Sequence, residues 1–482
     1  MKGSNKMKKC RNCVALIMAM IMMLTAFSVM PMTSSAESTN VRTNYPVVTD
    51  ANGKSTRHLN NASDATSHIW NKSSKPNYIT VTLKKPNYKT VIINYVVKLW
   101  KQGKTYKWQY GSFNNKGEFT NSYVNEKNNT VTTSENSGKF CIQYIFQKNC
   151  DVSNTITKIG KTKSRAKIPF AQRKNLTVKL SKGDFYVDGF YRLYSKTKVE
   201  GSGANTRLIK TRALPIFINF DNDDTNTKGY NGSQNITVRN FVVAGGDDKA
   251  KTYKPSSFMY FLHGANLKVE NITVEKALYY SHVFQLTSSR NIEISHCNFK
   301  NILYTDSVNT DNKRNDVIYR VATDKPLATK NFDKYLERQS GKKGTGKFYH
   351  FEVAQIETDE EGAMPTIKSS WDGTSTKNVN IHNCNFNGVV RAIGSHAAGK
   401  KNCNGITIQN NKFTNVVGHA ISLPFEENVT ISKNKFKNVS DTKIKGSAIY
   451  YVKGKKISIV NSGKNKNTYS NCASKVKAVS KY

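Results

Sequence analysis

Five short segments gather side chains suited to proton transfer and anion recognition. They are His282-Val-Phe-Gln-Leu286, Glu352-Val-Ala-Gln-Ile-Glu357, Arg391-Ala-Ile-Gly-Ser-His396, His419-Ala-Ile-Ser-Leu423 and Ser447-Ala-Ile-Tyr-Tyr451. Aligned on their apolar pairs, His282, Glu352, Arg391 and His419 fall in one column, and Gln285, Gln355, Gly394 and Ser422 in a second. Glu357 and His396 form a third. Elimination needs a base for the proton α to a carboxylate, here His396 or His282, and a cation such as Arg391 to neutralise the developing charge. Glycosidic hydrolysis needs two carboxyl groups, one kept protonated; Glu352, Glu357, Asp359 and Asp372 are available. Structural readings stand beside these: histidines that cap strands, and a Glu352–Arg391 ion pair between neighbours. A glycine at 394 is expected to open space for a ring to approach the backbone. Counting instead from Phe386 and Phe413 pairs Arg391 with Gly418 rather than His419, and such a slip exchanges the faces of a sheet.

Residues this far apart share a site only if the fold stacks them, and the chain carries a stacking pattern. Asn235-Ile-Thr-Val238, Asn266-Leu-Lys-Val269, Asn291-Ile-Glu-Ile294, Asn378-Val-Asn-Ile381, Gly405-Ile-Thr-Ile408, Asn428-Val-Thr-Ile431 and Lys456-Ile-Ser-Ile459 each alternate with period two. The intervals are 31, 25, 87, 27, 23 and 28 residues. All but the gap of 87 fit single turns of a solenoid. A second element follows several of them: His-Cys-Asn-Phe299, Asn-Cys-Asn-Phe386, Asn-Asn-Lys-Phe413 and Lys-Asn-Lys-Phe436. Stacking would put the four Phe in one internal column. It would put Cys297, Cys384, Asn411 and Asn434 in another, with Asn bonding along the stack and the thiols buried rather than bridged or metal-bound.

These coils resemble the right-handed parallel β-helix proteins of the pectate-lyase-like superfamily. Gly183-Asp-Phe-Tyr-Val187 and Leu193-Tyr-Ser-Lys-Thr-Lys-Val-Glu-Gly-Ser-Gly203 are similar to the first coil of such proteins, and the resemblance spans roughly residues 170 to 465. It implies an all-β architecture and a groove over one sheet that handles polysaccharide. The superfamily includes lyases, hydrolases, epimerases and adhesins, so fold alone does not choose the reaction. Glu352–Glu357, Trp371-Asp-Gly-Thr374 and Arg391–His396 also resemble a set recurring in this order in secreted β-helix proteins. Here Glu357 stands where Asp is usual and Trp371 where Tyr is usual. The resemblance implies that these three segments belong to one site and does not name the reaction. Taken with the columns, the candidate catalytic set is Glu352, Glu357, Asp372, Arg391 and His396, with His282, Gln285, Gln355, Trp371 and His419 as candidate substrate-binding residues.

Residues 1–36 read as a secretory signal: Lys2, Lys6, Lys8, Lys9 and Arg11, an apolar run to Met30, then Ser34-Ser35-Ala36. The alternative is an uncleaved membrane anchor, since the apolar run is near the lower length for spanning a bilayer. The mature chain has no further membrane-spanning run, and the expectation is a protein outside the cell. The net charge is +41. That favours an anionic polysaccharide or electrostatic association with the cell wall, against the plainer reading of a solubilising surface. No nucleic-acid motif accompanies the charge. Residues 37–74 read as a linker, 75–165 as a β-rich accessory module of sandwich type, and 166–482 as the β-helix. Residues 303–348 read as an insertion over the groove. Cys141 and Cys150 are close enough to close one loop. No zinc spacing occurs; Ca²⁺ at Asp221–Asp224 is the one cofactor to consider, and a solvated acidic turn suits that run better. The protein is read as a monomer, acting as a lyase on uronate-containing polysaccharide. The alternatives are a hydrolase in the same groove and a carbohydrate-binding adhesin.

Overall fold

The computed structural model describes backbone strands between residues 47 and 172. With side chains it describes residues 127–133, 146, 175–185, 187, 191–210, 215–220, 227–246, 254, 256–277, 282–302, 352–358, 372–395, 402–440 and 446–479. The signal segment, the 303–348 insertion, Asp221–Asp224, Cys141, Asp359, Trp371 and His396 lie outside the described residues.

From residue 177 onward the described residues form a right-handed parallel β-helix. Its coils carry the repeat read in the sequence. The Asn235, Asn266, Asn291, Asn378 and Asn428 positions all have positive φ, between 51° and 59°, and Gly405 has +73°. Asn and Gly recur there because they adopt the left-handed region at least cost. Asn266 Nδ2 donates to Asn235 Oδ1, Asn291 to Asn266 and Asn378 to Asn291, so the corner is also tied by a side-chain ladder. The apolar second and fourth positions face inward: Ile236, Leu267, Ile292, Val379, Ile406 and Val429 are buried in one register column.

Phe299, Phe386, Phe413 and Phe436 stack inside the coils at ring-centroid distances of 4.9, 5.0 and 4.8 Å, continued by Tyr469 at 5.2 Å. Asn411 and Asn434 form the buried ladder, extended by Asn467, and Asn411 Oδ1 accepts from the Cys384 amide. Cys297 and Cys384 are buried free thiols above it.

The N-terminal part departs from the sequence-based layout. Val47–Thr49 and Ser55–His58, within the expected linker, join Asn77–Lys84, Ile92–Gln102 and Thr105–Phe113 in one antiparallel sheet. Thr130–Thr133, read as part of the accessory module, pairs in parallel with Thr177–Lys179 and buries Val131 in the helix core. Phe146 stacks on Tyr191 at 5.1 Å. These residues cover the apolar face that the first coil would otherwise leave open.

Among the described residues, the sheet that positions the polar columns has nine parallel strands. They are Tyr191–Arg192, Phe217–Ile218, Met259–Leu262, Phe284–Thr287, Glu352–Glu357, Arg391–Gly394, Ile421–Pro424, Ile449–Val452 and Val476–Val479.

Candidate active site on the nine-stranded sheet

Four of these strands carry two consecutive buried apolar residues at their entry: Val283-Phe284, Val353-Ala354, Ala392-Ile393 and Ala420-Ile421. Inward-outward alternation therefore begins only after the pair. The residue before the pair and the residue after it both reach the outer side. The register is Gln285↔Gln355, Glu352↔Arg391, Gln355↔Gly394 and Gly394↔Ser422. Extended by two residues, it sets His282 beside Glu352 and Arg391 beside His419. Both sequence counts are reconciled by one extra residue. Val389 and Val416 pair, as do Ile393 and Ile421, so the second coil turns the corner with one residue more.

In the first column Arg391 Nη1 donates to Glu352 Oε1, and His282 Nδ1 lies 3.4 Å from Glu352 Oε2 and 3.3 Å from the Glu352 carbonyl oxygen. Glu352 is 0% exposed. Burial pushes the His282 pKa down, against the pull of the Glu352 charge, and its Nδ1 faces two acceptor oxygens. His419 stacks on Tyr450 at 4.4 Å, and its Nδ1 accepts from the Ser447 amide. The space at Gly394 is not open to a sugar ring. A Cβ there would meet Ser422 O at 2.7 Å, Glu352 Cγ at 3.2 Å and Arg391 Cδ at 3.3 Å. The glycine lets the Ser422 carbonyl of the next coil approach, with the ion pair packed beside it, which corrects the sequence expectation.

The second and third columns converge on Glu357, 1% exposed. Gln285 Nε2 donates to its Oε1 at 3.1 Å, Thr287 Oγ1 donates to the same oxygen at 3.3 Å, and Gln355 Nε2 donates to Oε2. Burial outweighs these donors, and with the Glu352 charge it pushes the carboxyl up to about 8. Glu357 is thus a proton-bearing acid at neutral pH, on the same strand as an arginine-paired carboxylate. Environments that split two carboxyl groups in this way can serve acid and base chemistry.

Asp372 is held elsewhere. Its Oδ2 accepts from the Gly229 amide at 2.6 Å and its Oδ1 from the Thr374 amide at 2.9 Å. Burial alone would raise its pKa, but those bonds outweigh it and the carboxyl stays low. Beside it Tyr230 Oη donates to the Ser375 carbonyl at 2.8 Å, and the Arg290 guanidinium lies over the Tyr230 ring. Asp372 therefore ties the 227–233 segment to residues 372–375.

Three buried polar groups escaped sequence reading. Lys210 Nζ donates to Ser257 O and, at 2.8 Å, to Ser257 Oγ; burial pushes its pKa well down. Ser257 occupies the first column one coil before His282. Glu426 and Cys403 lie buried at the strand-exit turn, where burial raises both pKa values well above normal. Their signal was positional: Gly264, Ser289, Thr376, Cys403, Glu426 and Gly454 each precede the first residue of the next strand. Among the described residues no cluster of His, Cys, Asp or Glu could hold a metal ion, and no helix is long and apolar enough to cross a membrane.

No protein-family model and no curated protein matches the chain. Among solved structures, it is similar to a mutant tailspike protein of E. coli bacteriophage HK620 in complex with a pentasaccharide. Identity is 12%, with 63% of this chain and 56% of that one covered and a TM-score of 0.31. It is also similar to the A-module of the Azotobacter vinelandii mannuronan C-5 epimerase AlgE4, at 10% identity, covering 64% of this chain and 91% of that one with a TM-score of 0.17. The chain thus spans little more than half the length of the tailspike.

Proposed function

We propose that the protein is an exported enzyme that cleaves an acidic, uronate-containing polysaccharide, with Glu357 as its general acid. The observation that carries this reading is a fully buried carboxyl group surrounded by three uncharged side-chain donors, an environment whose burial pushes its pKa up to about 8. The reaction is β-elimination. His396, as base, takes the proton α to the uronate carboxylate, and the electron pair left behind forms the new C=C bond. The bond from the β-carbon to the glycosidic oxygen breaks, and Glu357 gives its proton to that oxygen. The high positive charge of the chain supports an anionic substrate.

A second reading, hydrolysis, is favoured by one observation. Arg391 is already neutralised by Glu352, so less of its charge is left for a substrate carboxylate, while an ionised and a protonated carboxyl group share one strand.

Incubation with pectate, alginate and glycosaminoglycans separates the readings. Elimination gives products absorbing in the near ultraviolet. Reducing ends without absorbance mean hydrolysis, and binding without either product means an adhesin. Glu357→Gln is expected to lower the rate by about 10²-fold or more. Full activity in that variant removes Glu357 from the mechanism.

A further inference from the structure

From residue 428 to 482 the sequence holds 13 Lys, no Arg and one acidic residue, Asp441. Ten of those lysines are described, namely 433, 435, 437, 453, 455, 456, 464, 466, 475 and 477, and every one is exposed. Lys455 pairs with Glu427 at 2.8 Å, and no other ion pair involves these ten among the described residues. The lysines are spread over the strands and turns of the last coils rather than gathered in the groove. Lys412 and Lys435 are direct register partners, about 4.8 Å apart along the stack, which is inside the Debye length at physiological salt.

Two ordinary roles leave part of this arrangement unexplained. Lysine on an edge strand blocks edge-to-edge pairing, but Lys435 and Lys437 lie on a strand paired on both sides, to Lys412–Val416 and to Thr468–Cys472. A solubilising surface intersperses both signs; here the acids are missing. Unrelieved repulsion between like charges costs stability, and a bound polyanion removes that cost.

We infer that the last coils are a docking surface for an anionic glycopolymer, separate from the groove, which holds the protein on a carboxylate- or phosphodiester-bearing matrix. Lysine without arginine recognises charge density rather than planar, bidentate geometry. Nucleic-acid recognition would call for arginine forks and exposed aromatics for base stacking, whereas Tyr451 and Tyr469 pack against the core. Direct binding tests this independently of any catalytic role for the groove.

The experiment compares full-length protein with two variants that lose equal charge. One is Lys435, Lys437, Lys464, Lys466 and Lys475→Gln; the other is Lys127, Lys179, Lys182, Lys196 and Lys377→Gln, all exposed at the other coils. Binding to alginate, to a teichoic acid and to single-stranded DNA is measured at low and physiological salt, with thermal melting as the folding control. The first variant is expected to lose affinity for at least one glycopolymer by about tenfold or more and the second by less than about threefold. The alginate and teichoic acid arms show whether carboxylate or phosphodiester is preferred. Equal losses in the two variants, no loss in the first, or tighter binding of DNA than of either glycopolymer overturns the inference.

Discussion

A carboxyl group that accepts three hydrogen bonds is ordinarily well ionised. Glu357 is not, because none of its three donors carries a charge and the desolvation they oppose is complete. This has a consequence for stability. In the unfolded chain the carboxyl returns to about 4.5, while in the folded protein it titrates near 8. Between those values the folded state holds a proton that the unfolded state has released. The group's stabilising contribution is therefore complete below about pH 4.5 and is lost as pH rises towards 8. Glu426, also raised by burial, acts in the same direction. Glu357→Gln keeps the shape and removes one titration. Urea midpoints measured from pH 5 to pH 8 should fall less in the variant than in the wild type. Between pH 5 and pH 8 the wild type should lose on the order of 3 kcal/mol more than the variant. Parallel curves would mean that Glu357 is ionised in the folded protein.

At the scale of the coil, the turns carry as much of the fold as the strands. Asn434 makes four side-chain bonds inside the stack: its Oδ1 accepts from the Asn411 amide and Nδ2, and its Nδ2 donates to Ile408 O and Asn467 Oδ1. Removing it strands several buried groups at once, at about 3 kcal/mol. Asn298, whose Oδ1 accepts a single bond from the half-buried Asn385, should cost less than about 1 kcal/mol when replaced. Chemical denaturation of Asn434→Ala beside Asn298→Ala checks the contrast, and comparable losses would contradict it. This ladder, the Phe stack and the column of His282, Glu352 and Arg391 were legible in the sequence because each repeats a residue type or pattern at coil spacing. What escaped was what does not repeat. Lys210 and Glu426 look like surface residues until the register buries them. Gly394 reads as an opening until the Ser422 carbonyl and the Glu352 and Arg391 side chains fill it. Thr130-Val-Thr-Thr133 reads as any short strand, because its parallel partner at Thr177–Lys179 is more than forty residues away.

Across the whole molecule, charge and cooperativity run along the same axis. Each coil contacts its neighbours above and below, so stability is a sum of nearest-neighbour contributions and the weakest coils open first. The weakest described coil is the last. Ile457, Ile459, Tyr469, Cys472 and Val476 are only half-buried against the core, whereas their counterparts in the preceding coils, such as Val429, Ile431 and Phe436, are fully buried. The densest exposed lysine lies on those same coils. Screening should therefore act there first. Raising NaCl from about 20 to about 300 mM shortens the Debye length from roughly 20 Å to below 8 Å, and it should raise the melting temperature. In hydrogen exchange the amides of residues 455–479 should gain more protection than those of Gln234–Glu275, where Lys268 already lies near Glu270 and Glu293 and Arg239 near Glu200. A melting temperature that fell with salt would show that attraction between unlike charges, rather than repulsion among lysines, governs this end of the helix.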